Sequence, residues 1–210
     1  MRRRPVSRPE DRVFDEHDLS DDPLELFTRW FDEIRAQRAF EPHAVALATA
    51  TPDGTPSARM VLMNRIDDRG LTFYTNYDSR KGDELEANPQ AALVFHWPEL
   101  GRQVRIEGPV SRVERAETEA YAHARARASQ LSALASPQSQ PVPDRSWLER
   151  RVDELDQEHA GAELPVSERW GGYRLDPRAW EFWQHRPNRL HDRFRYERAG
   201  GAWRAQRLAP

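Results

Sequence analysis

The spacing of apolar residues divides the chain into a helical part and several strand-forming parts. Between residues 24 and 34, apolar side chains recur every three or four positions, which predicts an amphipathic helix that begins after Asp21-Asp22-Pro23. From residue 44 the period falls to two, and β-branched and aromatic residues become frequent. This change predicts strands over 44–49, 58–66, 71–76, 91–97 and 103–113. The polar segment 79–88 between the third and fourth of them suits a short helix.

The second half of the chain returns to strands after two predicted helices. The helices cover 116–135 and 145–160, with a Pro/Gln/Ser loop at 136–143, and the strands cover 172–175, 179–183, 192–197 and 203–208. Short strands at hairpin spacing, with too few helices between them for parallel pairing, predict a mainly β fold: an antiparallel barrel with peripheral helices. We expect residues 1–20, which are charged and lack apolar periodicity, to form a flexible N-terminal arm, and residues 21–210 to form a single domain.

Composition narrows the class of protein. Seven Trp, eight Phe and five Tyr in 210 residues are too many for a disordered chain. No apolar run approaches the roughly 18 residues of a membrane span, and the basic start is not followed by the apolar region of a signal peptide. The chain has no cysteine, which excludes disulfides and thiolate metal sites. A net charge of −3 predicts no bulk attraction to nucleic acid or anionic lipid. We therefore expect a cytoplasmic protein with no nucleic-acid or membrane partner.

Lys81 is unusual because every other basic residue of the 32 is Arg. A compact ammonium binds differently from a planar guanidinium, so a single Lys can mark a position that requires one. It follows Ser79 and Arg80 at a predicted helix N-terminus, where free backbone N–H groups favour a phosphate. An exposed charge run is the alternative. No nucleotide-binding glycine loop and no histidine spacing typical of zinc accompany it, so we predict no metal.

Two other segments place polar groups where a ligand could bind. In the strand over 102–108, Gln103, Arg105 and Glu107 share the face opposite Val104 and Ile106, although a solvated sheet surface would look the same. Residues 181–193 concentrate aromatic, imidazole and guanidinium groups, which suits a flat anionic aromatic ligand. A core strand followed by a charged turn is the alternative there.

Ten motifs, in order, resemble the FMN-dependent pyridoxine/pyridoxamine 5′-phosphate oxidases from about residue 23 to the last residue. They lie at 59–63, 73–76, 79–82, 88–89, 102–108, 138–139, 170–173, 181–184, 189–193 and 207–210. The resemblance implies a split β-barrel homodimer with two FMN molecules at the subunit interface. It also implies that the flavin oxidises pyridoxine or pyridoxamine 5′-phosphate, a vitamin B6 phosphate, to pyridoxal 5′-phosphate, with O2 as acceptor and H2O2 as product.

The same resemblance assigns roles to residues. The implied FMN contacts are Arg59, Met60, Val61, Leu62, Met63, Asn64, Tyr74, Thr75, Arg80, Lys81, Gln103, Gln138, Ser139, Trp183 and Arg193. The implied substrate contacts are Asn64, Tyr121, Arg125, Ser129, Arg189 and His191, of which Arg189 and His191 are the catalytic candidates at the pyridine ring. Tyr121, Arg125 and Ser129 have the spacing i, i+4, i+8, which would place them on one face of the helix predicted over 116–135.

The chain departs from the family pattern around the substrate. Asn64 stands where relatives carry a phosphate-binding lysine, and His185 replaces a usual glycine. Ala126, Ser132 and Leu134 stand where relatives usually carry Pro, Gly and Trp. Two alternatives follow: a non-catalytic protein that binds pyridoxal phosphate, and a related flavin oxidase with another planar anionic aromatic substrate, such as a phenazine precursor. Retention of Tyr121, Arg125 and Ser129 argues against the second.

Overall fold

Nine strands and five α-helices make up the part of the chain that the computed structural model describes, residues 12–210. The strands are β1 (Ala44–Ala50), β2 (Pro56–Asp67), β3 (Gly70–Asn76), β4 (Gln90–Trp97), β5 (Arg102–Arg112), β6 (Trp170–Leu175), β7 (Ala179–Gln184), β8 (Asp192–Ala199) and β9 (Ala202–Arg207). The helices are α1 (Pro23–Ala36), α2 (Arg80–Ala87), α3 (Arg115–Ala124), α4 (Arg127–Ala135) and α5 (Arg145–Glu158).

Six strands close into a barrel. Their order is β4-β1-β2-β3-β6-β5, and β4 pairs with β5 to complete the circle. From β5 the sheet continues into β7, β8 and β9, and every pairing is antiparallel. Closure leaves β1 to β6 without free edges, which protects the backbone hydrogen bonds of the barrel wall. The predicted mainly β, antiparallel barrel with peripheral helices is confirmed.

Helix α1 packs its apolar face against the barrel and the β7–β8 sheet. Asp22 caps the helix by accepting a hydrogen bond from the Leu24 amide at 2.9 Å. Phe27 and Trp30 are buried, with Phe27 edge-on to Phe95 at 5.0 Å between ring centroids. Each buried aromatic ring removes enough apolar surface to contribute about 2–3 kcal/mol. The helix predicted from residue 24 to 34 is thus confirmed.

The segment just before α1 is packed on the core, where we predicted a flexible arm over residues 1–20. Phe14 is 2% exposed and lies 4.9 Å from both Trp30 and Phe194, ring centroid to centroid. Tyr196 donates to the backbone oxygen of Ser20 at 3.0 Å. Phe14 and the partly buried Leu19 pack on the core, and so few apolar residues in a mostly polar segment give no apolar periodicity. Residues 1–11 of the predicted arm lie outside the described residues.

The helix predicted over 116–135 is in fact two helices. Arg125 and Ala126 have extended backbone angles, with ψ of 154° and 138°, between the end of α3 and the start of α4. The Arg127 side chain then donates to the backbone oxygens of His159 and Ala162, in the turn that follows α5. Tertiary contacts therefore override a sequence with good helix propensity. None of the helices within residues 12–210 is long and apolar enough to cross a membrane.

Candidate active site

A cleft of about 620 Å³ opens on the barrel wall between β2, β3 and the α3–α4 pair. It is lined by Arg59, Met60, Val61, Leu62, Asn64, Tyr74, Thr75, Asn76, Lys81, Tyr121, Arg125, Ser129, Ser132, Ala133, Ser136, Gln138 and Trp170. Most residues implied by the resemblance on β2, β3 and α3–α4 are among them. The volume suits a ligand of drug or cofactor size.

One end of the cleft is built around the buried ammonium of Lys81, which is 8% exposed. Its Nζ donates to Thr75 Oγ1 at 3.1 Å, Ser79 Oγ at 3.1 Å and Gln138 Oε1 at 2.6 Å. Burial, followed by the charge of nearby Arg59, lowers the pKa of Lys81 to about 8. The exposed-charge alternative for this residue is wrong.

A glycine lets α2 begin directly beneath this group. A Cβ at Gly82 would lie 1.9 Å from the carbonyl oxygen of Tyr77, so any side chain would displace the turn that ends β3. Ser79 caps the helix and accepts from the Gly82 amide at 3.4 Å. The Ser-Arg-Lys-Gly motif thereby places Lys81 in the first turn of α2, from which its ammonium contacts Thr75 on β3.

Arg59 lies beside Lys81 and is held by several acceptors. Its guanidinium donates to Leu47 O at 3.2 Å, to Thr49 Oγ1 at 2.5 Å and to the Ser57 hydroxyl. It also pairs with the buried carboxylate of Glu84 at 3.1 Å. Strands β1 and β2 and helix α2 thus hold one guanidinium at the wall of the cleft.

Stacked aromatic rings form another wall. The rings of Tyr74, Tyr121 and Trp170 are nearly parallel, and Tyr74 lies 3.9 Å from Tyr121 and 5.4 Å from Trp170, with interplanar angles of 15° and 17°. Burial raises the pKa of both tyrosines above the ordinary value, so each phenol is protonated at neutral pH and can donate a hydrogen bond. A flat wall of this kind suits a flat ligand.

The other polar end of the cleft gathers Tyr121, Arg125, Ser129 and Asn64. Asn64 donates from Nδ2 to the Tyr121 hydroxyl, and the Arg125 guanidinium lies 4.9 Å above the Trp170 ring. These residues converge, but not for the reason that their spacing indicated. Because α3 ends at Ala124, the three predicted residues do not share one helical face.

A second group of predicted residues lies outside the cleft. Trp183, His185 and His191 contact one another, with His191 4.6 Å from Trp183 and 5.3 Å from His185, ring centroid to centroid. His191 Nδ1 accepts from the Arg186 amide at 3.1 Å. Burial, and then the charges of His185 and Arg189, lower the pKa of His191. Arg189 is exposed, in a turn where its own φ is 61°.

The remaining predicted residues take up varied positions. Arg193 pairs with the buried carboxylate of Glu181 at 2.8 Å, and Gln103 pairs in register with Trp183 across β5 and β7. Met63 is buried in the core at 4% exposure. Arg80 and Ser139 line a separate shallow cleft, where Arg80 Nε donates to Glu84 at 2.9 Å. One chain therefore brings together only part of the predicted site.

Sequence reasoning did not predict Glu84, which bonds to Arg59, or five residues of the cleft lining: Asn76, Ser132, Ala133, Ser136 and Trp170. Trp170 belongs to the Trp-Gly-Gly-Tyr motif, but nothing in the sequence showed that its ring would stack on Tyr74. Glu84 lies in a polar helix, where a buried carboxylate is unexpected. Within residues 12–210, no group of three or more His, Cys, Asp or Glu is placed to hold a metal ion.

The closed antiparallel barrel with this cleft in its wall defines a split-barrel protein. The sequence model described as pyridoxamine 5′-phosphate oxidase matches residues 31–159, and that described as the pyridoxine 5′-phosphate oxidase C-terminal dimerisation region matches residues 170–210. The chain belongs to the pyridoxine/pyridoxamine 5′-phosphate oxidase family and is an oxidase.

Individual relatives cover nearly the whole chain. The chain is 53% identical to the pyridoxine/pyridoxamine 5′-phosphate oxidase of Rubrobacter xylanophilus, over 90% of this chain and 87% of that one. It is 50% identical to the enzyme of the same name from Gluconobacter oxydans, over 92% and 96%. A crystal structure of PhzG from Burkholderia lata, in complex with tetrahydrophenazine-1-carboxylic acid, superposes with a TM-score of 0.89 at 39% identity, covering 95% of this chain and 98% of that one.

Proposed function

We propose that this oxidase converts pyridoxamine or pyridoxine 5′-phosphate to pyridoxal 5′-phosphate, with FMN as cofactor and O2 as the electron acceptor that leaves as H2O2. The observation that carries the proposal is a single cleft with two groups of anion-binding side chains. Arg59 and Lys81 form one group, and Tyr121, Arg125 and Ser129 form the other. A phosphorylated cofactor and a phosphorylated substrate require two such groups, with a flat wall for their rings.

The surroundings of Lys81 fit the FMN phosphate. Its hydrogen-bond acceptors, Thr75, Ser79 and Gln138, are all neutral oxygens, and the charge of Glu84 acts on the ammonium only from a distance. A phosphate would supply the missing negative charge. We assign Arg59, Lys81, Thr75 and Gln138 to the phosphate end. Residues 60–64 and Tyr74 would border the ring system. When bound, FMN would supply the redox chemistry, which is two-electron oxidation of the substrate coupled to reduction of O2.

The chain's own residues would bind and orient the substrate. Arg125 supplies a positive charge for its phosphate, while the Ser129 and Tyr121 hydroxyls donate hydrogen bonds. The amide of Asn64, already bonded to Tyr121, orients that hydroxyl. The stacked wall of Tyr74 and Trp170 excludes water from one side of the site. Positioning the reacting carbon is the main catalytic contribution expected of the protein.

In this proposal, five of the predicted residues belong to the cleft of a partner in a homodimer. None of the five lines the cleft of its own chain: Gln103, Trp183, Arg189, His191 and Arg193. All but Gln103 lie within residues 170–210, which match the dimerisation region of the family. We propose that each cleft is completed by this group from its partner, giving two sites per dimer.

Another planar anionic aromatic is the second candidate substrate. The superposition on PhzG, whose structure holds a tricyclic carboxylic acid, favours it, as does Asn64 in the position of the family's lysine. A carboxylate carries less charge than a phosphate, so a site with fewer cations would retain enough attraction for it.

Peroxide release tests the proposal directly. Purified protein would be loaded with FMN, given pyridoxamine 5′-phosphate in air, and assayed for H2O2 and pyridoxal 5′-phosphate together. Equal amounts of both products are expected. Arg125→Leu should raise KM, while Arg145→Leu, at an exposed position of α5, serves as the matched loss of one charge. Binding of pyridoxal phosphate without turnover would identify a carrier, and turnover of a phenazine precursor alone would identify the second candidate substrate.

A further inference from the structure

A buried carboxylate outside the lining of the cleft bonds to Arg59 at the cationic end. Glu84, on α2, is 4% exposed, and both of its carboxylate oxygens are used. Oε1 accepts from Arg80 Nε at 2.9 Å. Oε2 accepts from Ser57 Oγ at 2.5 Å, from Arg59 Nη2 at 3.1 Å and from the Thr49 hydroxyl.

This carboxylate is ionised. Burial alone would raise its pKa, but the hydrogen bonds from Ser57, Thr49, Arg80 and Arg59 outweigh burial and lower the pKa of Glu84 to about 2. A fixed negative charge therefore lies beside Arg59, in a region proposed to bind a phosphate. Considered as charge alone, it weakens the binding of an anion there.

Geometry gives the carboxylate a compensating role. Arg59 projects from β2, Arg80 from the first turn of α2, and Thr49 from β1, and Glu84 bonds to all three. Arg has many rotamers, so fixing a guanidinium before the ligand arrives removes an entropic cost from binding. The same carboxylate joins two barrel strands to the helix that carries Lys81.

We propose that Glu84 is a positioning residue that holds Arg59, and through Arg80 the start of α2, in the arrangement that selects a phosphorylated flavin over one without a phosphate. The inference rests on the proposed FMN function. Glu84 does not line the cleft, and it acts through the Arg59 guanidinium and through its bond to Arg80 on the helix that carries Lys81. Its orienting effect exceeds the repulsion that its charge exerts on the phosphate.

Glu84 lowers FMN affinity by repelling the phosphate and raises it by orienting the guanidinium group, so a variant without the charge shows which effect is larger. In Glu84→Gln the repulsive charge is gone, but the amide NH2 would face either the Arg80 or the Arg59 donor, so at least one guanidinium loses its bond to this side chain. FMN and riboflavin differ by the phosphate alone. Their dissociation constants, measured by quenching of flavin fluorescence, separate a phosphate-specific effect from a general loss of structure.

We expect Glu84→Gln to weaken FMN binding about tenfold, as for one lost charge-assisted hydrogen bond, and to leave riboflavin binding unchanged. Glu86→Gln is the matched control, because Glu86 lies on the same helix in an exposed pair with Arg112. It should change neither constant. Equal or tighter FMN binding in Glu84→Gln would show that repulsion dominates, and an equal loss for FMN and riboflavin would show a merely structural role. Either result overturns the proposal.

A second variant covers the case in which Glu84→Gln does not fold. Ser57→Ala keeps the carboxylate and removes one of its donors, together with one acceptor of Arg59. It should weaken FMN binding by a smaller factor and leave riboflavin binding unchanged; an unchanged FMN constant counts against the proposal. Measurements on wild-type protein distinguish a failure of the proposed function from a failure of the role proposed for Glu84. If it does not bind FMN, the proposed function fails, whereas normal wild-type binding with unaffected variants rejects the role of Glu84 alone.

Discussion

Lys81 is the single lysine of the sequence. Its rarity and its place at a helix start predicted a special role, and the structure buries its ammonium among neutral oxygens. Lys81→Ala should weaken FMN binding by about 1.5–3 kcal/mol, the range for hydrogen bonds to charged groups. Lys81→Arg should restore only part of this, because a planar fork does not fit the three acceptors. Fluorescence titration gives the constants, and equal affinity in all three proteins would contradict the role.

The depressed pKa of Lys81 makes the same prediction depend on pH. Below about pH 8 the lysine of the free protein is already protonated, so FMN affinity from this group is constant. Above that pH the neutral lysine must take up a proton from the solvent when the phosphate binds, so affinity should fall as pH rises. The same pKa affects the stability of the protein without ligand. Between about pH 8 and the ordinary lysine pKa of 10.5, Lys81 is protonated in the unfolded chain but neutral in the folded one, so its contribution makes the free energy of unfolding rise with pH. Calorimetry in buffers of different ionisation enthalpy should detect proton uptake by wild type but not by Lys81→Met.

Asn64 is the residue where the chain and its family pattern differ most directly. Asn64→Lys should lower KM for pyridoxamine phosphate, with a gain on the order of 1–2 kcal/mol from one added charge-assisted bond. kcat should change less, because the phosphate is remote from the reacting carbon. Asp68→Asn, at an exposed turn, makes the same change in net charge and should leave KM unaltered. An unchanged or higher KM for the lysine variant would mean that the pocket is shaped for another ligand.

Motifs revealed residues whose chemistry is local, but not residues whose role depends on distant partners. Lys81 and Thr75 are close in sequence and close in space. Glu84 acquires its role only because β1 and β2 bring Thr49 and Arg59 to it, across 35 and 25 positions of sequence. No local pattern encodes such contacts. Trp170 escaped notice for the same reason.

At the scale of elements, apolar periodicity predicted the strands but did not predict the break between α3 and α4. Alternation in β5 places Val104 and Ile106 in the core and leaves Gln103 partly exposed, as the sequence indicated. A two-residue periodicity fixes the face of every strand residue, whereas an Arg-Ala-Arg-Ala sequence favours an unbroken helix. The break arises from contacts of Arg127 with the turn that follows α5.

That break is a position where proline should stabilise the protein. Ala126 has φ −55°, close to the proline value, Arg125 before it is extended, and both conformations accept an X-Pro bond. Ala126→Pro should therefore raise the free energy of unfolding by about 0.4–1 kcal/mol through the unfolded state. Ala120→Pro, inside α3, should lower it by about 3 kcal/mol. Thermal melting of both variants decides the matter, and destabilisation by Ala126→Pro would show that the α3–α4 junction is not rigidly extended.

At the scale of the whole molecule, the candidate site is divided between two regions of one chain. The cleft holds Lys81 and Arg125, whereas Trp183, His191 and Arg193 lie elsewhere. The resemblance predicted these residues as one site, and a homodimer that joins the two regions reconciles the prediction with the geometry. Because binding groups would then come from both protomers, FMN binding and dimerisation should strengthen each other.

Mixed dimers test whether each site is shared between protomers. Lys81→Ala damages the cleft of its own chain, whereas Arg193→Ala should damage the cleft of the partner. When the two variants are unfolded, mixed equally and refolded, about half the dimers are mixed, and each mixed dimer carries one site with both residues intact. About a quarter of wild-type FMN binding capacity should then return, although neither variant alone binds well. Refolding of each variant by itself is the control. If both residues serve the same chain, no mixed dimer contains an intact site, so the absence of recovery would refute the shared site. A monomer that holds FMN tightly in size-exclusion chromatography with light scattering would refute it as well.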